Sequence, residues 1–145
     1  MSKKQFEPRK PFSKLPPGEL KLYLAVFKDG ATGDYCFHKF GHTSFHDAAD
    51  RFKYEPEQYK KWDITIMKTV WGPEEEILKL EEEYQKRYPK TFWIEEKIGG
   101  VTEITKLKPV DVKNIITEFS ILSEKFFLMR EKKRLLKRQE YNLNG

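Results

Sequence analysis

An α+β fold is predicted for this chain: a small antiparallel three-stranded sheet in ββαβα order, flanked by helices, plus a long C-terminal helix. Three observations predict it. Leu20 to Phe27 is almost entirely apolar, the pattern of a strand covered on both faces. From Trp62 to Trp71, Ile64, Ile66 and Val70 alternate with Asp63, Thr65, Met67 and Thr69, which is strand periodicity. After Pro109, the residues Val112, Ile115, Ile116, Phe119, Leu122 and Phe126 form one apolar helical face.

The remaining elements follow from local chemistry. Residues 1–19 carry Lys3, Lys4, Arg9, Lys10 and Lys14 among Pro8, Pro11, Pro16 and Pro17. Prolines remove backbone donors, so this stretch reads as a flexible basic arm, either touching phosphates or merely solubilising. Asp29 to Asp34 is turn chemistry with two glycines, and Tyr35 to Phe40 makes the second strand of a hairpin that Gly41 ends. Ser44 and Asp47 have capping-box spacing, predicting a helix from about Phe45 to Tyr54 that packs Ala48, Ala49 and Phe52 and stops at Pro56. Pro73 with Glu74, Glu75 and Glu76 suits a helix start; Ile77, Leu80 and Tyr84 carry that helix to about Tyr88. Phe92-Trp93-Ile94 and Gly99-Gly100 read as a short extended piece and a turn. The chain thus divides into an arm (1–19), a domain (20–108) and a long helix (109–145), whose far end holds six basic residues between Arg130 and Arg138.

Composition narrows the function. At 145 residues there is room for one domain, and 38% hydrophobic residues suffice for its core. The net charge of +5 favours a polyanionic partner, nucleic acid before an anionic membrane surface. Cys36 is the only cysteine, which excludes an intramolecular disulfide and a cysteine-rich zinc site. No apolar run approaches the roughly 18 residues that span a bilayer, and no signal-peptide pattern opens the chain. An intracellular, soluble protein is expected.

Leu22-Tyr23-Leu24 in the first strand, His38-Lys39-Phe40-Gly41-His42-Thr43 closing the second, Arg51 ten residues after Gly41, and Leu80-Glu81 with Tyr84 in the acidic helix form an ordered series. In order and spacing it resembles the GIY-YIG nuclease superfamily, in particular the phage-type branch whose second motif reads Tyr-Lys-Ile-Gly. The resemblance covers about residues 20 to 95. Two departures stand out: His38 occupies the slot given to the second tyrosine, and the asparagine that usually follows the glutamate helix has no clear counterpart.

The resemblance implies a DNA endonuclease from a phage or another mobile element. In the family, one divalent metal (Mg2+, or Mn2+) is held by a single glutamate, here Glu81, with Glu82 and Glu76 as alternatives; Arg51 would lie on the scissile phosphate. Magnesium keeps several waters and needs few carboxylates, so one glutamate suffices. Tyr23 and His38, on neighbouring strands, would share the attacking water, and either would accept its proton. Lys39 and His42 are expected to contact phosphate, and Gly41 to turn the chain sharply beside it. Lys132, Lys133, Arg134, Lys137 and Arg138 would lie along a duplex backbone.

Each residue also has a structural explanation. Tyr23 fits a core strand, Arg51 fits an ion pair with Asp47 or Glu55, Glu81 fits a solvated helix face, and Trp62, Trp71 and Trp93 fit the core. Two alternatives to a nuclease therefore stand: a nucleic-acid-binding protein that keeps the fold without cutting, and an interaction protein that pairs with a second copy through the C-terminal helix.

Overall fold

A computed structural model of the protein describes residues 12–54, 56–89 and 104–144. The elements in chain order are β1 (Glu19–Asp29), β2 (Tyr35–Thr43), α1 (Asp50–Lys53), α2 (Pro56–Tyr59), β3 (Trp62–Pro73), α3 (Glu74–Arg87), β4 (Ile104–Thr105) and α4 (Pro109–Asn144). The extended piece expected at Phe92 to Ile94, the turn expected at Gly99-Gly100 and the first eleven residues of the expected arm lie outside the described residues.

β1 runs through the middle of an antiparallel sheet of order β3-β1-β2-β4. The three expected strands are joined by β4, a two-residue edge strand pairing with His38 and Lys39 of β2. Because β1 is flanked by strands on both edges and covered on both faces, it tolerates few polar side chains, which is why its sequence is nearly all apolar. On one face Leu20, Leu22, Leu24, Phe40 and Val70 pack against Ile77 and Tyr84 of α3 and Ile115, Phe119 and Phe126 of α4. On the other, Tyr23, Ala25, Phe27 and Phe37 pack against Ala48, Phe52, Tyr59 and Trp62.

β3 departs from simple alternation. Leu24 pairs with Lys68 and Ala25 with Ile66, so a bulge at Met67 adds one residue to β3. A one-residue slip exchanges the faces of a strand. Val70 therefore packs under the helices, whereas Ile64 and Ile66 join the opposite cluster. An unbroken period of two would have put all three on one face.

The helix expected over 45–54 is reduced to the single turn α1, with α2 beginning at Pro56 rather than ending there. The backbone groups that a helix would have used are engaged by residues 13–15. Leu15 N donates to Ser44 O (2.8 Å), His46 N donates to Ser13 O (2.7 Å), and Lys14 bridges to Phe45. Residues 13–15, placed in the arm on the sequence, are thus part of the body. Neither Ser44 nor Asp47 caps α1: its N-cap is Ala49, without a side-chain capping bond, and Asp47 accepts from Ala49 N at 3.0 Å in the turn that leads into it.

α4 is fastened in steps. Glu118 accepts from Tyr84 Oη and Arg87 Nη1, each at 2.6 Å. Burial raises the Glu118 carboxyl, but those two hydrogen bonds and the Arg87 charge outweigh it and leave the group below its ordinary value. Ser123 Oγ donates to Thr69 O (3.1 Å), and Arg130 Nη1 donates to Trp71 O (2.7 Å) with its guanidinium 4.0 Å above the Trp71 ring. Trp71 is therefore half-buried beneath a cation, whereas Trp62 belongs to the core. From Lys132 to Asn142 every residue of α4 is exposed.

His38 sits on the helix-covered side of β2, 6% exposed, with its Nδ1 2.8 Å from Tyr35 Oη. Burial lowers its pKa from 6.5 to about 4, so the folded protein holds it neutral. Protonation consequently favours the unfolded chain. The stability His38 contributes is complete above about pH 6.5 and is lost as pH falls toward about 4. Urea midpoints at about pH 7.5 and about pH 4.5 should differ less in His38→Gln than in the wild type. Equal differences would place the acid sensitivity elsewhere.

Candidate functional site

The register of the central hairpin decides which motif residues meet. Tyr23 lies opposite Gly41, and Ala25 opposite Lys39. Side chains alternate along a strand, so Tyr23, Lys39 and Gly41 share one face, while His38, Phe40 and His42 share the other. Tyr23 lays its ring across Gly41: a Cβ there would stand 2.3 Å from Tyr23 Oη and 2.7 Å from Lys39 Nζ. Lys39 Nζ donates to Tyr23 Oη at 3.0 Å and lies 5.2 Å from the ring centroid. Both side chains are buried, and Phe52 of α1 meets the Tyr23 ring edge-on at 5.5 Å.

Three expectations change here. Gly41 does not end the strand: it lies inside β2, and its missing side chain is the space that Tyr23 fills. Lys39 points into the protein rather than toward a phosphate. Tyr23 and His38 do not face one water, because their register partners (Gly41 for Tyr23, Val26 for His38) put them on opposite faces.

Arg51, beside Phe52 in α1, opens instead onto a cleft of about 590 Å³ at the end of the sheet where β1 begins and β2 finishes. Its walls are Lys14 and Phe12 from the docked segment, His42, Thr43, Ser44 and Phe45 from the end of β2, and Leu20, Arg51 and Tyr54. Arg51 is only partly exposed, with its guanidinium 5.9 Å from the Tyr59 ring centroid.

His42 connects this cleft to α3. Its Nδ1 lies 2.9 Å from Glu81 Oε2, and its side chain is 42% exposed against 11% for Glu81. Glu81 is therefore the buried end of a carboxylate–imidazole pair whose open end lines the cleft. It leaves the solvated Glu81-Glu82-Glu83 run because Ile77, Glu81 and Tyr84 mark the buried face of α3. Among the described residues no group of three or more His, Cys, Asp or Glu side chains is arranged around one point. A divalent ion at Glu81 would have one protein carboxylate, with water and substrate oxygens as its other ligands, which is the coordination magnesium accepts.

The C-terminal cations divide between two surroundings. Lys133, Arg134 and Lys137 line, with Arg130, a second groove of about 670 Å³ against Gly18, Glu19, Gly72 and Pro73. Lys132 and Arg138 are exposed away from that lining, and Arg134 also pairs with Glu131 at 2.9 Å. Beside the groove, Arg130 stacks on Trp71, which also approaches His46 with ring centroids 6.1 Å apart. Lys21 contacts the same Trp71 ring at 5.9 Å and donates to His46 O.

Of the four residues expected to share one site, Arg51 lines the cleft and Glu81 lies behind it, bonded to the cleft residue His42, whereas Tyr23 and His38 are buried on opposite faces. Phe12, Lys14, Phe45 and Tyr54 enter the site unannounced by any motif. Lys14 and Phe45 meet across thirty residues of chain, and local spacing carries no signal of that. The chain matches no known protein family, no curated protein and no solved structure in comparison with each.

Gly41→Ala should destabilise the protein by about 1–3 kcal/mol, since the added methyl has no space unless Tyr23 moves. This would lower the melting temperature by several degrees. Shortening the opposing ring in Gly41→Ala/Tyr23→Leu should lose less than the sum of the two single changes. A Gly41→Ala protein that melts with the wild type would refute the packing described.

Proposed function

We propose that the protein hydrolyses phosphodiester bonds in DNA, acting at the cleft bordered by Arg51 and the His42–Glu81 pair. The observation that carries this reading is that an imidazole and a guanidinium from different elements line one cleft, and a buried carboxylate behind the imidazole hydrogen-bonds it. The guanidinium is permanently charged and its fork matches two phosphate oxygens, so Arg51 suits the scissile phosphate. Glu81 holds the orientation of His42, as a carboxylate does for a proton-accepting imidazole. His42 thus takes the place that Tyr23 or His38 would hold in the GIY-YIG pattern. Mg2+ or Mn2+ at Glu81, when bound, would supply charge neutralisation on the leaving oxygen.

The other parts of the molecule support a polyanionic substrate. The net charge is +5, and Arg130, Lys133, Arg134 and Lys137 bring four cations to one groove. These would hold a DNA backbone alongside the cleft. A second copy along α4 is compatible with this reading, because Ile121, Leu128 and Leu135 recur every seven residues and are exposed.

A second reading, DNA binding without cleavage, is favoured by one observation. Tyr23 and His38, the residues that the GIY-YIG resemblance would make proton acceptors, are 1% and 6% exposed.

Nicking of supercoiled plasmid separates the two. Wild type with magnesium or manganese should convert plasmid to the open form, and Arg51→Ala and Glu81→Gln should each slow it by roughly 100-fold or more. No nicking with either metal, or equal nicking by the variants, would leave only the binding reading. For binding itself, Lys133→Ala/Lys137→Ala should weaken affinity and flatten the dependence of log K on log salt by about 2. A slope unmoved by the double change would remove α4 from the interface.

A further inference from the structure

We propose that the Arg51 cleft is built to hold an unpaired nucleotide, with the base on an aromatic wall and the adjoining phosphate on Arg51 and Lys14. This rests on the reading of the cleft as a nucleic-acid site and names the form of substrate it takes.

The wall consists of three rings from three parts of the chain. Phe12 and Phe45 lie with centroids 5.8 Å apart, Phe12 and Tyr54 5.5 Å apart, and Phe45 and Tyr54 5.7 Å apart. Their burial is graded. Phe45 is 9% exposed and anchors the group, whereas Tyr54 is 58% exposed and presents a large open surface at the cleft. An aromatic side chain left so open in a charged surface is a stacking platform that accepts any base. Lys14 and Arg51 border the same cleft.

A duplex backbone cannot use this combination. It offers phosphates and sugars outward and keeps its base faces stacked inside, so contacts to it are made by cations and hydrogen-bond donors. A cleft that adds an apolar plane to those cations matches a nucleotide whose base has left its stack.

The wall is also held in place at a cost. Phe12 has φ +65°, a left-handed conformation that bulky residues rarely adopt. Its N–H donates to Oδ2 of Asp50, a residue fully buried at the start of α1. Backbone strain of this kind persists where the surroundings over-determine it, and such positions cluster at ligand clamps. Here the clamp brings the Phe12 ring onto Tyr54 from a segment distant in sequence.

The test is equilibrium binding in EDTA, so that no cleavage is needed and its outcome is independent of the nicking assay. Three fluorescent probes of one length are compared, a single-stranded DNA, the same strand with abasic sites throughout and the blunt duplex, and the single strand is also competed with deoxyadenosine monophosphate. The single strand should bind more tightly than its abasic counterpart and than the duplex. Tyr54→Ala should weaken single-strand binding roughly 5- to 150-fold, the range for one stacked base, while leaving the salt slope unchanged. The exposed Tyr54 can be shortened without opening the core, and a matching melting temperature checks this. Equal affinity for the normal and abasic strands, or a Tyr54→Ala protein that binds like the wild type, would overturn the proposal. Competition by the free monophosphate at lower concentration than the strand would also overturn it, in favour of a free-nucleotide site. Plasmid nicking combined with indifference to abasic sites would sink this inference alone and leave the nuclease reading standing.

Discussion

Pairing of β1 on both edges is the constraint on which the rest of the molecule depends, because it allows each side chain of the strand one face only. Tyr23 must lie over Gly41, and nothing larger than glycine fits beneath it. The same register turns His42 toward α3, where Glu81 meets it, and turns Lys39 beneath Tyr23. A slip of one residue between β1 and β2 would reverse all of these assignments at once. The Lys39-Phe40-Gly41 segment is thus a packing device first. It supports α1 through Phe52, and α1 carries Arg51 to the cleft.

The second organising contact is the docking of residues 12–15 on residues 44–46. It diverts the backbone that would have become a longer helix and supplies two cleft residues, Phe12 and Lys14. The left-handed Phe12 costs on the order of 1–3 kcal/mol. That cost is offset by its ring contacts, by its hydrogen bond to Asp50, and by the two backbone bonds from Leu15 and His46. The cleft therefore depends on a segment whose prolines and charges would suggest a tail.

α4 serves two purposes along one axis. Its first half closes the helix-covered core through Ile115, Phe119 and Phe126, with Phe126 lying close above Gly72. At Arg130 the anchoring ends on Trp71, and beyond it the helix is a charged rod. Trp71 also meets His46 and Lys21, so one half-buried ring ties α4 to β1 and to the segment after β2.

Much of the fold was legible in the residues. The apolar run of β1, the alternation of β3 and the spacing in α3 and α4 each report burial, and burial pattern is what periodicity encodes. The order of Tyr23, Gly41, Arg51 and Glu81 along the chain was legible too, as was the positive charge. What local spacing cannot carry is which face a residue takes after a bulge, or which distant segment claims a backbone group. Met67 shifted the parity of β3, and Lys14 replaced a helical partner at Phe45. His38 illustrates the limit most plainly. Its type suited a proton acceptor, but side-chain alternation turned it away from Tyr23, and burial beside Tyr35 lowered its basicity. The sequence by itself determined the elements, the charge and the candidate residues, because those follow from composition and period. Only the tertiary structure decided that His42 joins Glu81 to the Arg51 cleft, because that meeting depends on strand register and on contacts between residues far apart in the chain.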